Sequence, residues 1–96
     1  MVHILIPYEV RAEEVENAKS IITAFVKAIQ ENEPETLFYK SFQLLEDPTR
    51  FVHVMIFKNE EARERHSSSA YCREFAHKLY AMCKERPEPQ FYAEVH

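Results

Sequence analysis

Residues 36–58, TLFYKSFQLLEDPTRFVHVMIFK, carry the pattern that decides the fold. Two apolar runs rich in β-branched and aromatic residues flank Asp47 and Pro48, and Pro48 presets a turn dihedral, so the stretch predicts a β-hairpin. Side chains alternate between the two faces of a strand. One face of the second strand therefore presents Val52, Val54 and Ile56, and the other presents Phe51, His53, Met55 and Phe57. Both faces are largely apolar, so we expect both sides of this strand to be covered.

Three segments with helical periodicity lie around the hairpin. Before it, EEVENAKSIITAFVKAIQE, residues 13–31, places apolar side chains at helical spacing and predicts an amphipathic helix. We expect Asn32 to end this helix in the left-handed conformation. After the hairpin, NEEARERH, residues 59–66, predicts a short helix capped by Asn59, and SSSAYCREFAHKLYAMCKER, residues 67–86, predicts a longer one.

Two further strands are predicted near the ends of the sequence. VHILIPY, residues 2–8, predicts a strand over about residues 2–6, with regular pairing broken near Pro7, which lacks an amide donor. QFYAEV, residues 90–95, predicts the last strand. The order is then β-α-β-β-α-β with a broken second helical segment, the ferredoxin-like pattern of an antiparallel sheet with helices on one face. We therefore expect an α+β fold, one domain over residues 1–96, and a homodimer that covers the other sheet face.

Composition disfavours several classes of function. The 96 residues contain no glycine, which excludes the P-loop, GxGxxG and GxSxG motifs, so we expect no cofactor. No Cys and His spacing matches a structural zinc site, so no metal is expected. A net charge of −4 disfavours nucleic acid as a partner. No apolar run approaches the ~20 residues of a membrane helix, and the N-terminal residues lack the basic region of a secretion signal, which predicts a cytoplasmic protein.

One histidine precedes three serines between the two later helices. Ser69 is a favoured N-cap for the longer helix, so we assign the serines a structural role. Two interpretations of His66 stay open. It can interact with the dipole and free carbonyls at the end of the short helix, or it can be a polar group at the mouth of a cavity between helices and sheet. His77 falls on the polar side of the longer helix, and we expect it to be solvated.

Other side chains are weaker candidates for a pocket. His53 lies in a largely apolar strand. It is either a hydrogen-bonded histidine of the core or an interface, or a pocket group, and the first of these interpretations is favoured. Tyr39 and Tyr71 can donate hydrogen bonds from a pocket, although single tyrosines more often pack with a satisfied hydroxyl. Cys72 and Cys83 lie about three helical turns apart, too far for a disulfide, so we expect both to be reduced.

Three blocks of the sequence resemble a known family in their order and spacing. The matching residues are Glu33, Pro34, Leu37 and Tyr39 in the first block, Asp47, Pro48, Phe51 and Val54 in the second, and His66, Ser69 and Phe75 in the third. Together they resemble the antibiotic biosynthesis monooxygenase family, which includes quinol monooxygenases. The chain departs from the family pattern at Glu35, where Gly is usual, and at Ala70, where Pro is usual.

The resemblance implies a dimeric α/β barrel of two ferredoxin-like protomers and a cofactor-independent monooxygenase. In that chemistry an electron-rich phenol or quinol loses a proton, and its anion reduces O₂. The leading hypothesis has His66 orienting or deprotonating the substrate oxygen, with Tyr39, His53 and Tyr71 lining the pocket. The expected partners are a small aromatic or quinone-like molecule and a second copy of the chain. The rival hypotheses are a non-catalytic ligand-binding dimer of the same fold and an isomerase of a small signal molecule that uses histidine acid–base chemistry.

Overall fold

The computed structural model describes residues 1–96 and contains a four-stranded sheet covered on one face by helices. The elements are β1 (Val2–Glu9), a 3-10 turn (Ala12–Glu14), α1 (Val15–Asn32), β2 (Thr36–Gln43), β3 (Arg50–Phe57), α2 (Glu60–Ser68), α3 (Ala70–Met82) and β4 (Gln90–Tyr92). The sheet order is β2-β3-β1-β4, and all neighbouring strands are antiparallel. This is the ferredoxin-like α+β fold, so the predicted fold class is confirmed. None of the helices combines the length and the apolar character needed to cross a membrane.

The β2–β3 hairpin follows the local sequence pattern. The Arg50 N–H donates to the Asp47 carbonyl at 3.0 Å, and the Asp47 carboxylate accepts from the backbone N–H and the hydroxyl of Thr49, which closes the turn around Pro48. Alternation along β3 then buries Phe51, His53, Met55 and Phe57 on the helix side. The predicted division of β3 into two faces is confirmed, and it places one histidine in an apolar core.

Helix α1 packs on this face through its predicted apolar stripe. Its buried residues are Ala18, Ile22, Phe25 and Ile29. Phe25 stacks on Phe75 of α3, with ring centroids 3.9 Å apart. Burying a large apolar side chain fully contributes roughly 1.5–3 kcal/mol, so burial of this stripe favours the packing of α1 on the sheet.

The end of α1 differs from the expectation for Asn32. No residue of the chain has a positive φ, and Asn32 stays helical, with its side-chain Nδ2 donating to the Ala28 carbonyl at 2.8 Å. The Glu33 N–H donates to the Ile29 carbonyl at 2.9 Å. These two bonds end the helix without a left-handed residue, and the prediction for Asn32 is wrong.

Strand β1 runs through Pro7 to Glu9, beyond its predicted end. The Glu9 carbonyl accepts from the Lys84 N–H on the side of β1 that faces away from β3. Pro7, two residues earlier, has the same orientation, so its nitrogen also points away from β3. Pairing with β4 stops at Leu5, so no donor is needed at Pro7 and the predicted break does not occur. The extension carries Tyr8 into the buried core.

Two side-chain caps shape the second helical segment. The Asn59 side chain accepts from the Ala62 N–H at 2.8 Å at the start of α2, and the Ser69 hydroxyl accepts from the Cys72 N–H at 3.3 Å at the start of α3. Both predicted caps are confirmed, and each contributes about 0.5–2 kcal/mol. The bend at Ser69 is what turns α3 back across the sheet.

Strand β4 is shorter than predicted. Only Gln90–Tyr92 pair with β1, rather than residues 90–95. Tyr92 pairs with His3, and β1 begins only one residue before His3, at Val2. The residues after Tyr92 therefore find almost no strand to pair with, and β4 ends there.

The sheet face opposite the helices keeps an apolar surface. It presents Val52, Val54 and Ile56 of β3, which are half-buried in the single chain. Phe42 of β2 and Tyr92 of β4 flank them, with 49% and 52% of their surface exposed. The homodimeric barrel expected from the sequence would cover this face, and it stays a prediction.

Candidate functional site

An apolar cavity of about 220 Å³ lies between the sheet and helices α2 and α3. Of the 19 residues that line it, 12 are hydrophobic, and Arg63, Ser67 and Arg73 lie among the polar ones. The apolar wall includes Ile4, Met55, Phe57, Phe75 and Leu79. The volume is below the roughly 300–1,000 Å³ of sites for drug-sized ligands, which suits a compound with a single ring.

His66 separates this inner cavity from an outer cleft. It lies in the last turn of α2 and is only 6% exposed. Its Nδ1 is 2.8 Å and 3.1 Å from the two carboxylate oxygens of Glu33, which also accept a hydrogen bond from the Tyr71 hydroxyl. A carboxylate at Nδ1 favours the Nδ1–H tautomer and leaves a lone pair on Nε2. His66 therefore presents a basic nitrogen with a negative group behind the ring.

Cys72 lies on the opposite side of the His66 ring from Glu33. Its Sγ is 3.6 Å from Nε2. Cys72 lines the inner cavity and Glu33 lines the outer cleft, so the Nε2 edge faces the cavity. Burial, together with the charge of Glu33, raises the pKa of the Cys72 thiol to about 11, so the thiol is protonated near neutral pH. Cys72 and Cys83 are both free, as expected from their separation.

A second buried histidine lies on the sheet side of the cavity. His53 is 2% exposed, its Nε2 is 2.7 Å from the Tyr8 hydroxyl, and its Nδ1 is 2.8 Å from the Tyr39 hydroxyl. Burial, with a smaller contribution from the charge of His66, lowers the pKa of His53 to about 4. The ring is therefore neutral at physiological pH. His53 combines the two interpretations that the sequence left open, because it is satisfied at both nitrogens and also lines the cavity.

A neutral His53 leaves one tyrosine proton without a partner. The ring has one N–H and one lone pair, so one tyrosine donates to it and the other accepts from it. The accepting tyrosine retains its own O–H, and neither hydroxyl makes another hydrogen bond. Tyr39 lines the inner cavity and Tyr8 does not. Burial keeps the pKa of Tyr39 well above its ordinary value, so its hydroxyl is a donor available to a ligand when His53 donates from Nδ1.

The outer cleft is larger, at about 650 Å³, but it is polar. Only 2 of its 10 lining residues are hydrophobic. Its charged groups include Glu33, Glu35 and Arg65, and Arg65 pairs with Glu35. Such a cleft can exchange protons with water but cannot exclude it. We therefore assign chemistry that needs a water-poor site to the smaller inner cavity.

Three of the four residues singled out from the sequence line one cavity. The Tyr39 ring centroid is 5.6 Å from those of both His53 and His66. Tyr71 instead lines the outer cleft, with its hydroxyl on Glu33. His77 is exposed, as predicted. No group of three or more His, Cys, Asp or Glu side chains is arranged to hold a metal ion.

Sequence reasoning missed three polar side chains of this site. They are Glu33, Tyr8 and Cys72. Continuing the period-two alternation of β1 from Ile4 through Pro7 would have placed Tyr8 on the core face. Glu33 matches the family pattern, but nothing local marks it as the partner of His66, because this contact spans 33 positions of the chain.

Comparisons with known proteins agree with this fold. The family described as antibiotic biosynthesis monooxygenase has a sequence model that matches residues 1–78. No curated protein matches the chain. The chain is similar to the crystal structure of an antibiotic biosynthesis monooxygenase, with a TM-score of 0.91, 17% identity and 100% of each chain covered.

Two further solved structures show the same likeness. One is a conserved protein from Methanosarcina mazei Go1, with a TM-score of 0.89 and 18% identity over 97% of this chain and 91% of that one. The other is a protein from Pseudomonas aeruginosa, with a TM-score of 0.86 and 17% identity over 99% of this chain and 94% of that one. These identities show the fold alone. The family match covers 78 of the 96 residues, so the chain belongs to the antibiotic biosynthesis monooxygenase family.

Proposed function

We propose that the protein is a cofactor-independent monooxygenase that oxidises a phenol or quinol of single-ring size with O₂. Its family and fold support a monooxygenase-like protein in general. The observation that carries the finer proposal is the orientation of His66, whose Nε2 faces a small apolar cavity while Glu33 holds its Nδ1 at 2.8 Å. Ionising a phenol requires a base of this kind, and protecting the anion requires a site with little water.

In the proposed complex the aromatic ring of the substrate occupies the inner cavity beside Phe57 and Phe75. The substrate hydroxyl donates to Nε2 of His66 and replaces the Cys72 thiol there. The apolar part of the wall, beside Phe57 and Phe75, disfavours a charged group on the substrate ring, because that charge would lose its hydration there. Tyr39 can donate to a second substrate oxygen, which favours a quinol or a related dioxygenated ring.

The proposed reaction begins when the phenol proton moves to Nε2, where Glu33 stabilises the resulting imidazolium. The phenolate transfers one electron to O₂, and the phenoxyl and superoxide radicals combine at a ring carbon. The peroxide accepts a proton from His66, and cleavage of its O–O bond with loss of the ring proton releases water and leaves a quinone. Phenol and O₂ thus give quinone and water, with no external reductant.

Tyr39 has an electrostatic role in this scheme. Negative charge moves from the substrate oxygen to the peroxide as the reaction proceeds. A preorganised donor in an apolar site stabilises such charge strongly, because little reorganisation is needed when the charge develops. In the tautomer with the proton on Nδ1, the neutral His53 ring supports the donor, because it accepts from Tyr8 and donates to Tyr39.

Oxygen uptake with a panel of single-ring phenols and hydroquinones tests the proposal. We expect uptake without added nicotinamide, flavin or metal. His66→Gln should lower the rate at least tenfold, since positioned acid–base groups contribute about 10²–10⁴. His77→Gln is the matched control, because His77 is exposed on α3. Full activity of His66→Gln, or no uptake with any compound, would contradict the proposal.

The same panel separates the two rival functions. A non-catalytic binding protein would bind one of the phenols in calorimetry without consuming oxygen. An isomerase would convert its substrate while dissolved oxygen stays constant.

A further inference from the structure

We propose that the inner cavity has a second activity, in which Cys72 adds to neutral α,β-unsaturated carbonyl compounds of single-ring size, with His66 as its base. The Sγ atom of Cys72 is 3.6 Å from Nε2 of His66, and Nδ1 of His66 is 2.8 Å from Glu33. The thiol, the imidazole and the carboxylate thus form the spatial arrangement of nucleophile, base and orienting group that activates cysteine and serine nucleophiles. The activity does not depend on oxygen, so it goes beyond the proposed monooxygenase function.

The position of Cys72 makes it accessible to a small ligand. It is half-buried and lines the apolar cavity together with Nε2 of His66, so thiol and base face the same space. It is also the third residue of α3, where the helix dipole stabilises developing negative charge on sulfur. Cys83 is buried outside this cavity and has no histidine partner, so it provides an internal reference.

The state of the free thiol determines how the step occurs. With a thiol pKa of about 11, little thiolate is present near neutral pH. The bond from sulfur to the β-carbon of the enone therefore forms as the thiol proton moves to Nε2. The imidazolium then returns that proton to the α-carbon of the enolate. One S–C and one C–H bond form, the S–H bond and the C=C π-bond break, and no oxidant or reductant is needed.

Other titratable groups around the thiol come from every element packed against it. They are Glu33 after α1, Tyr39 on β2, His53 on β3, Arg63 and His66 on α2, and Arg73 and Tyr80 on α3. The thiol is tested between about pH 8 and 9.5. Burial raises the pKa of Tyr39 well above its ordinary value, and it lowers the pKa of His53 to about 4, so both lie outside that range. Neither of these two buried groups changes charge while the thiol is tested there.

The test uses 2-cyclohexenone without oxygen, and peptide mass mapping follows adduct formation. We expect an adduct at Cys72 and none at Cys83. The rate should be nearly constant from about pH 8 to 9.5, because a base within the site, rather than the small fraction of free thiolate, then governs the addition. His66→Gln should react at least tenfold more slowly at pH 8, and its rate should rise about tenfold per pH unit, as for an unassisted thiol. Glu33→Gln should also slow the addition. Its control is Glu35→Gln, at a carboxylate in the outer cleft, which should leave the rate unchanged.

Three results would overturn the proposal. Cys83 could react as fast as Cys72, or Cys72 could remain unmodified. The third is a rate in the parent protein that already climbs about tenfold per pH unit, which would mean that His66 does not take the proton. This last measurement needs no variant, so it holds even if His66→Gln fails to fold. Addition without oxygen also keeps the result separate from that of the oxygen-uptake assay.

Discussion

Glu33 and His66 are 33 positions apart in the chain, yet Oε1 of the carboxylate lies 2.8 Å from Nδ1 of the imidazole. Both side chains are largely buried, with 12% and 7% of their surfaces exposed. The pair joins the exit from α1 to the last turn of α2, so it fixes where the base sits relative to the cavity. A hydrogen bond to a carboxylate is stronger than one between neutral groups, so this contact holds the imidazole ring of His66 in one orientation.

Glu33→Gln tests the role of this carboxylate. The amide can still accept from Nδ1 but carries no charge, so it cannot stabilise the imidazolium. We expect turnover to fall about tenfold or more. Glu35→Gln is the matched control, because its carboxylate pairs with Lys58 and Arg65 at the partly exposed outer cleft. Equal activities of the two variants would remove Glu33 from the mechanism.

Tyr39→Phe tests the free phenolic donor in the cavity. We expect kcat/KM to fall at least tenfold, because the donor to the substrate or peroxide oxygen is lost. The free energy of unfolding should also fall by about 1–3 kcal/mol, because Nδ1 of the buried His53 loses its partner. Tyr92→Phe on β4, outside the cavity, is the control for activity and should leave kcat/KM unchanged. Oxygen-uptake kinetics and urea denaturation measure the two effects, and an unchanged kcat/KM for Tyr39→Phe would show that Tyr39 only supports His53.

Burial of His53 makes stability depend on pH in a defined window. The unfolded chain binds a proton at this residue near pH 6.5, whereas the folded chain does so only near pH 4. Between these values the unfolded state holds more protons, so His53 lowers stability as pH falls from about 6.5 to 4, by about 3 kcal/mol in total. His53→Gln should have a flatter stability profile over this range. An imidazole signal of His53 that titrates near pH 6.5 in NMR would contradict this account.

The apolar open face of the sheet predicts a homodimer. Light scattering should give twice the chain mass of 11.4 kDa at micromolar concentration. Val54→Lys places a charge at the centre of that face and should shift the protein to a monomer, because the buried charge would be unpaired. Ala81 lies on the exposed side of α3, so Ala81→Lys is the control and should leave the dimer intact. A monomer mass for the parent protein would remove the prediction.

Local chemistry determined which features could be predicted from the sequence. The turn around Pro48, the Asn59 and Ser69 caps and the apolar stripe of α1 depend on neighbouring residues, and each was predictable. The extent of β1 was not, because tolerance of Pro7 depends on where β4, more than 80 positions later, stops pairing. The ending of α1 also differed, because backbone and side-chain hydrogen bonds made a left-handed residue unnecessary.

The candidate site shows the same limit. His66 could be identified from its position at the end of the short helix, and His53 and Tyr39 from their largely apolar strands, but their partners come from distant segments. Glu33 and Tyr8 become visible only when the fold brings α1, α2 and the sheet together. Tyr71 was a candidate donor in a pocket, and it lines the outer cleft, where its hydroxyl donates to Glu33.

Labelling with ¹⁸O₂ tests the central claim most directly. The purified protein, without added reductant or cofactor, is given the best hydroquinone of the panel, and product and water are analysed by mass spectrometry. A monooxygenase places one labelled atom in the quinone and one in water for each O₂ consumed. Hydrogen peroxide formed in an amount equal to the O₂ consumed, with an unlabelled product, would contradict the claim, because the protein would then transfer electrons to oxygen without inserting an oxygen atom.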